Sequence, residues 1–217
     1  LIIIIFLFVS GYNPVFFSQK RIIAIGKEKR IFKFRSMNPD KVKKYYKSDI
    51  SKKEQQTGFI SIDPSSGVYT KRGSLMEAFK LVELPEMFHV LIGDLSIVGN
   101  RPLPRKLQEQ LEENHSIASQ RLLTKAGVFG VIQMAGRQNF ESKDRIKLEV
   151  LYSKLQYENY SPKRDLIIMS ISLLRIFGLR IVDKSETIYK ILNDNSLSKV
   201  GRLIAMKMKA SRPTKKW

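Results

Sequence analysis

The segment from Ser74 to Leu91 limits what this chain can fold into more than any other. Leu75, Met76, Phe79, Leu81, Val82, Leu84, Met87, Phe88, Val90 and Leu91 leave almost no side of a helix polar. Such a helix is stable only when buried in protein or set against a membrane. Ser74 is a suitable N-cap, and Pro85 should kink the helix by removing a backbone hydrogen bond. The rest of the chain has to be arranged around a stretch that water does not accept.

The formal net charge of +19 implies a polyanionic neighbour, either nucleic acid or anionic lipid. Basic residues concentrate between Lys20 and Lys53 and again between Lys199 and Lys216, beside very apolar sequence. That juxtaposition favours an anionic membrane surface, where each Lys or Arg contributes roughly 1 kcal/mol. A basic nucleic-acid-binding protein is the competing class, but no binding motif accompanies the charge, so no nucleic acid is expected. At 217 residues and 43% hydrophobic, the chain can build one domain with its own core. The absence of Cys excludes disulfides, thiolate zinc sites and Cys nucleophiles, and two histidines, His89 and His115, leave little for a His-based metal site or triad.

Leu1 to Val9 is continuously apolar. As a helix it would be only about 14 Å long, against a hydrocarbon core of about 30 Å. It cannot span, and reads as the end of a membrane helix or, alternatively, as a buried strand. Phe16 and Phe17, beside Lys20 and Arg21, suit a bilayer interface. Ile22 to Ile25 and Arg30 to Phe34 predict a hairpin around Gly26-Lys27-Glu28-Lys29. Residues 38–70, polar and Lys-rich, read as a mobile surface segment. Residues 104–123 predict one amphipathic helix, which Gly127 and Gly130 separate from another over 142–160. Pro162 opens a further helix through Leu174. Leu197, Val200, Leu203, Ile204 and Met208 recur at helical spacing in the basic tail.

Several blocks together resemble the bacterial sugar transferases, monotopic membrane enzymes that load a sugar phosphate onto polyprenyl phosphate. Leu81-Val82-Glu83-Leu84-Pro85-Glu86 is similar to the family's Leu-Asp-Glu-Leu-Pro-Gln. Gly93-Asp94-Leu95-Ser96-Ile97-Val98-Gly99-Asn100-Arg101-Pro102 resembles Gly-Asp-Met-Ser-Leu-Val-Gly-Pro-Arg-Pro. Phe32-Lys33-Phe34-Arg35-Ser36-Met37, Lys125 to Gln133, and Ser161 with Asp165 follow in the family's order, with Arg137 where a family Arg stands. Any one block is weak; five in order are strong.

The resemblance implies an α+β, single monotopic membrane-associated domain with an N-terminal re-entrant or interfacial helix, a small β-hairpin and amphipathic helices. It divides the chain into a membrane-helix remnant (1–17), a sugar-transferase-like domain (18–185) and a basic amphipathic tail (186–217). In the implied reaction a carboxylate attacks the β-phosphorus of a nucleotide-diphosphate sugar, and polyprenyl phosphate then takes the phosphosugar, at the cytoplasmic face of the bacterial inner membrane. Such chemistry needs the carboxylate itself, with Mg2+ and fixed cations to absorb charge. By this correspondence Glu83 is the retained member of the acidic pair and a Mg2+ ligand, and Asp94 is a further catalytic-motif carboxylate. Lys33, Arg35, Arg101, Gln133 and Arg137 would bind phosphate or substrate. The pattern breaks at Val82, which replaces the nucleophile. It also breaks at Glu77 in place of an Arg, Asn100 in place of a Pro, and Phe129 in place of a Thr, and a further family Asp aligns with Glu149 or Ser153. The implied activity is therefore impaired or absent. The alternatives are an active transferase using Glu83, or a non-catalytic partner or regulatory homologue. Glu83 and Glu86 could also be solvated carboxylates, Lys33 and Arg35 the outer face of a strand, and His89 a satisfied structural histidine.

Overall fold

The computed structural model describes residues 14–47, 62, 66–136, 140–182 and 184–194. Two antiparallel strands open it, β1 (Phe16–Ala24) and β2 (Lys27–Phe34), paired from Phe16 opposite Phe34 to Ala24 opposite Lys27. The hairpin is longer than the sequence reading, and its turn is tighter. Gly26 takes a left-handed φ of 66° beside Ile25, so Lys27 is already in β2. Phe16 and Phe17 are half-exposed strand residues, while Ile23, Ile31 and Phe34 face inward.

Residues 38–70 are not wholly an irregular surface segment, because α1 (Pro39–Tyr46) lies within them. Asn38 Oδ1 accepts from the amides of Asp40 and Lys41, and Pro39 occupies the first turn. That Asn-Pro pair is a helix-start signal which the Lys-rich composition concealed.

The single kinked helix expected from Ser74 to Leu91 is also corrected. It is three pieces: α2 (Lys71–Ala78), a 3₁₀ turn (Leu81–Glu83) and α3 (Glu86–Leu91). Thr70, not Ser74, caps α2, with Oγ1 accepting from the Gly73 amide at 2.8 Å. Lys80 adopts φ 56°, ending the first piece, and Pro85 stands immediately before α3. A left-handed residue and a proline five positions apart leave no room for continuous α-helix.

After α3 come β3 (Ser96–Val98), α4 (Arg105–Asn114), a 3₁₀ turn (Ala118–Leu122) and β4 (Gly127–Phe129). The helix expected over 104–123 therefore stops at Asn114. β3 and β4 form a parallel pair, Ser96 opposite Gly127 and Val98 opposite Phe129. Their glycines allow the approach: a Cβ on Gly99 would strike the Lys125 carbonyl, and one on Gly127 the Gly99 amide. The hairpin docks here through Ile22 N–H to the Leu103 carbonyl at 2.8 Å and Ala126 N–H to the Ile23 carbonyl at 2.7 Å.

Helices α5 (Val131–Ala135), α6 (Ser142–Glu158), α7 (Pro162–Ile176) and α8 (Ser185–Asp194) complete the described chain. They share an apolar core that includes Met134, Leu148, Ile168, Ile171, Ile188 and Leu192. Ser161 caps α7, and Asp165 in its first turn accepts from Tyr152 Oη and Gln156 Nε2. The Ser-x-x-x-Asp block is thus a helix start tied to α6. Mixed helix with two small sheets agrees with the expected class. Among the described residues no helix is long and apolar enough to cross a membrane. Phe16 and Phe17, expected within the membrane-helix remnant (1–17), stand in β1. Residues 186–194 of the expected basic tail (186–217) lie in α8, where Ile188 and Leu192 join the core. The segment 1–13 and the tail beyond Asp194 lie outside the described residues.

Candidate active site

Four short segments bring four charged side chains together. β2 contributes Lys33, the 3₁₀ turn Glu83, the first turn of α3 Glu86, and the stretch after β3 Arg101. Lys33 Nζ lies 3.0 Å from Glu83 Oε1 and 2.8 Å from Glu86 Oε1, and Arg101 Nη1 donates to the same Glu83 oxygen. Glu86 is not solvated: its side chain is 2% exposed, against 12% for Glu83. Lys33 is likewise turned inward rather than set on the outer face of its strand.

The electrostatics follow from this packing. Burial and then Arg101 push the Lys33 pKa down, while Glu83 and Glu86 resist. Burial works against the charge on Arg101 too, yet Glu83, Glu86 and Glu77 outweigh it and hold the guanidinium above its usual range. The facing carboxylates thus favour the charged form of both cations against burial, and prevail at Arg101.

Val82 points elsewhere. Successive residues of a 3₁₀ turn are rotated by about 120°, and Val82 packs with Val15, Phe34 and Met76, 5% exposed. The position that resembles a nucleophile is therefore a small apolar core.

The other residues singled out in the sequence serve different contacts. Asp94 pairs with Lys29 at 3.0 Å and with His89 Nδ1 at 3.2 Å. The Phe32 amide donates to His89 Nε2 at 3.3 Å, so Nδ1 carries the hydrogen directed at Asp94. His89 is thus a satisfied histidine that clamps α3 to the hairpin. Arg35 donates to the Pro14 carbonyl at 2.9 Å and lies over the Phe17 ring. Gln133 donates to the Val128 carbonyl at 3.0 Å. Arg137 falls outside the described residues.

Sequence reasoning missed the support beneath Arg101. Arg121 is buried and donates to Glu149 Oε2, to Gln108 Oε1 and, at 2.8 Å, to the Arg101 carbonyl. Asn100, where the family has Pro, donates to the carbonyls of Arg121 and Glu149 and to Ser153 Oγ. No pattern of spacing signals a contact between residues so far apart in the chain.

For Mg2+, the residues present do not fit unaided. Among the described residues no three potential ligands gather, and Glu83 is already held by two cations.

Asp94 has a measurable signature. Hydrogen bonding from Lys29, and then from His89, holds its carboxyl below its usual value near 3.8, against the opposing effect of burial. A depressed pKa means stability present above that value and lost as pH falls through the folded pKa. With Lys29 half-exposed, Asp94→Asn should cost about 0.5–1 kcal/mol at neutral pH. Urea denaturation should show the gap from wild type closing below about pH 4; a gap that persists at pH 2 would contradict this origin.

The result is a self-neutralised cluster of two carboxylates and two cations beside an apolar helix surface, on a mixed α/β domain. The chain belongs to the bacterial sugar transferase family, whose family model matches residues 1–178. It is 36% identical over 141 residues to the galactosyl transferase CpsE of Streptococcus agalactiae serotype III, covering 64% of this chain and 30% of that protein. It is 30% identical over 165 residues to the exopolysaccharide production protein ExoY of Sinorhizobium fredii, covering 74% and 69%. A UDP-glucose:undecaprenyl-phosphate glucose-1-phosphate transferase of Klebsiella pneumoniae matches at 30% over 173 residues, covering 77% and 34%. The chain thus spans under half the length of two of these three relatives.

Proposed function

We propose that this chain is a membrane-associated sugar-transferase homologue of lipid-linked glycan or surface-polysaccharide assembly that binds a nucleotide-diphosphate sugar but does not turn it over by the family route. The burial of Val82 among Val15, Phe34 and Met76 carries this reading. An aliphatic side chain cannot form a phosphoryl ester, and the neighbouring carboxylate, Glu83, is engaged by Lys33 and Arg101. Those two cations supply what a diphosphate needs, charge-assisted donors from separate elements. The reading is tested with purified protein, UDP-sugars and undecaprenyl phosphate in detergent. No uridine monophosphate and no lipid-linked product should form above background. Robust turnover abolished by Glu83→Gln would make Glu83 the nucleophile and overturn it.

The membrane part of the proposal is supported by the inverted α3. Its buried residues are Glu86 and His89, whereas Phe88 is 60% and Leu91 84% exposed. Leu75, Phe79, Leu84 and Ile92 extend this exposed apolar character along the same broken helix. An apolar surface of this kind marks a contact with lipid or protein. The proposal assigns it to the cytoplasmic leaflet of the bacterial inner membrane, with basic flanks beside anionic headgroups. The Phe88→Glu/Leu91→Glu double variant should keep its melting temperature, because neither side chain is core, yet float with anionic liposomes at least several-fold less. Unchanged flotation would place lipid contact on another face.

A further inference from the structure

Lys33 and Arg101 come from separate elements and converge on one oxygen, Glu83 Oε1. That is how two donors would receive a phosphoryl oxygen, and here a side chain of the protein occupies the position. The two carboxylates of the cluster are not equivalent. Glu86 is almost fully buried in the first turn of α3, with its ion pair to Lys33. Glu83 is more exposed and bridges both cations from a short 3₁₀ turn bounded by left-handed Lys80 and by Pro85. Two backbone hydrogen bonds close this turn, Glu83 N–H to the Lys80 carbonyl and Leu84 N–H to the Leu81 carbonyl, each at 3.2 Å. The Glu83 side chain can change rotamer while they stay in place.

We propose that Glu83 is a displaceable latch, an internal stand-in for the anionic ligand that closes the site on itself, and that Glu86 is the fixed counter-ion that keeps Lys33 in place when the latch opens. The proposal rests on the ligand-binding reading above and adds a mode of regulation to it. A diphosphate must take Arg101 and Lys33 from Glu83 before it can bind, so its affinity is lowered by the pair it breaks. Removing the Glu83 charge spares that cost. Removing the Glu86 charge leaves Lys33 buried beside Arg101 without its anchor, which favours loss of its proton and of its position. Two substitutions of identical net charge should therefore act in opposite directions.

The probe is inorganic pyrophosphate, titrated calorimetrically into the full chain in detergent micelles with EDTA, and again with Mg2+. Glu83→Gln should bind pyrophosphate at least about tenfold more tightly than wild type without a divalent ion, with Glu83→Ala as a second variant. Glu86→Gln should bind no better than wild type, or more weakly. Equal tightening by Glu86→Gln would reduce the effect to overall charge and overturn the latch. Wild type that binds as well as Glu83→Gln would also overturn it, while leaving the site's ligand class standing. Loss of the fold in both Glu83 variants would overturn it as well, because a carboxylate the fold cannot spare is not displaceable. Pyrophosphate that binds none of the proteins, with or without Mg2+, would remove both the latch and the ligand-binding reading beneath it.

Discussion

Arg121→Ala should destabilise the protein by about 3–5 kcal/mol, the range for removing one partner of a buried ion pair. The Arg121 side chain is 1% exposed and its donors reach α6, α4 and the loop that carries Arg101. Its carbonyl also accepts from Asn100 Nδ2 and Ser153 Oγ, each at 2.9 Å. Truncation would take the hydrogen-bonded guanidinium from the Glu149 carboxylate in the interior, leaving Arg145 to act on it electrostatically. A buried charge that loses its hydrogen-bonded partner is costly. Glu149→Gln keeps an acceptor facing the guanidinium and should cost less. An Arg121→Met/Glu149→Leu pair, which removes both charges and keeps much of the volume, should recover part of the loss. Urea midpoints followed by circular dichroism would check the series. Arg121→Ala within 1 kcal/mol of wild type would mean water reaches Glu149.

Local signals of the chain account for much of this fold. Gly26 between β-branched runs marks the hairpin, and Ser161-Pro162 marks the start of α7, because each signal acts through its own backbone. The break at Lys80 was not legible, since a lysine in the left-handed region is a tertiary choice and carries no propensity signal. Neither was the β3–β4 pairing, in which two three-residue strands meet only because Gly99 and Gly127 let their backbones touch. At the site, Lys33, Glu83 and Arg101 do meet, and order in the chain alone would not have placed them together. Asp94, Arg35 and Gln133 hold the surrounding elements in place through contacts that a motif does not specify. Glu86, readable beforehand as an ordinary solvated carboxylate, is buried because α3 faces inward with its charged side.

Val82→Asp should lower stability by on the order of 3 kcal/mol and restore no turnover, although it re-creates the Asp-Glu pair of the family. The new carboxylate would enter the apolar cluster of Val15, Phe34 and Met76, so burial would raise its pKa. A folded pKa above the unfolded value makes the cost largest at neutral pH and removes it as pH falls toward the unfolded value of about 3.9. Val82→Asp should therefore be closer to wild type at pH 4 than at pH 8. Adding Glu77→Arg is the fairer test of recovery. Glu77 pairs with Lys80 at 2.8 Å and acts electrostatically on Arg101, so exchanging it removes a negative charge and places a cation within reach of the site. Even then the Asp must leave the apolar cluster before it can meet phosphate, and reorientation of a 3₁₀ turn held by Lys33, Arg101 and Pro85 opposes that. Release of uridine monophosphate from UDP-sugars is the measurement for both variants, with denaturation run on the same preparations. Strong release by Val82→Asp alone, without loss of stability, would show that position 82 can face the cations and that one side chain separates this protein from an active transferase.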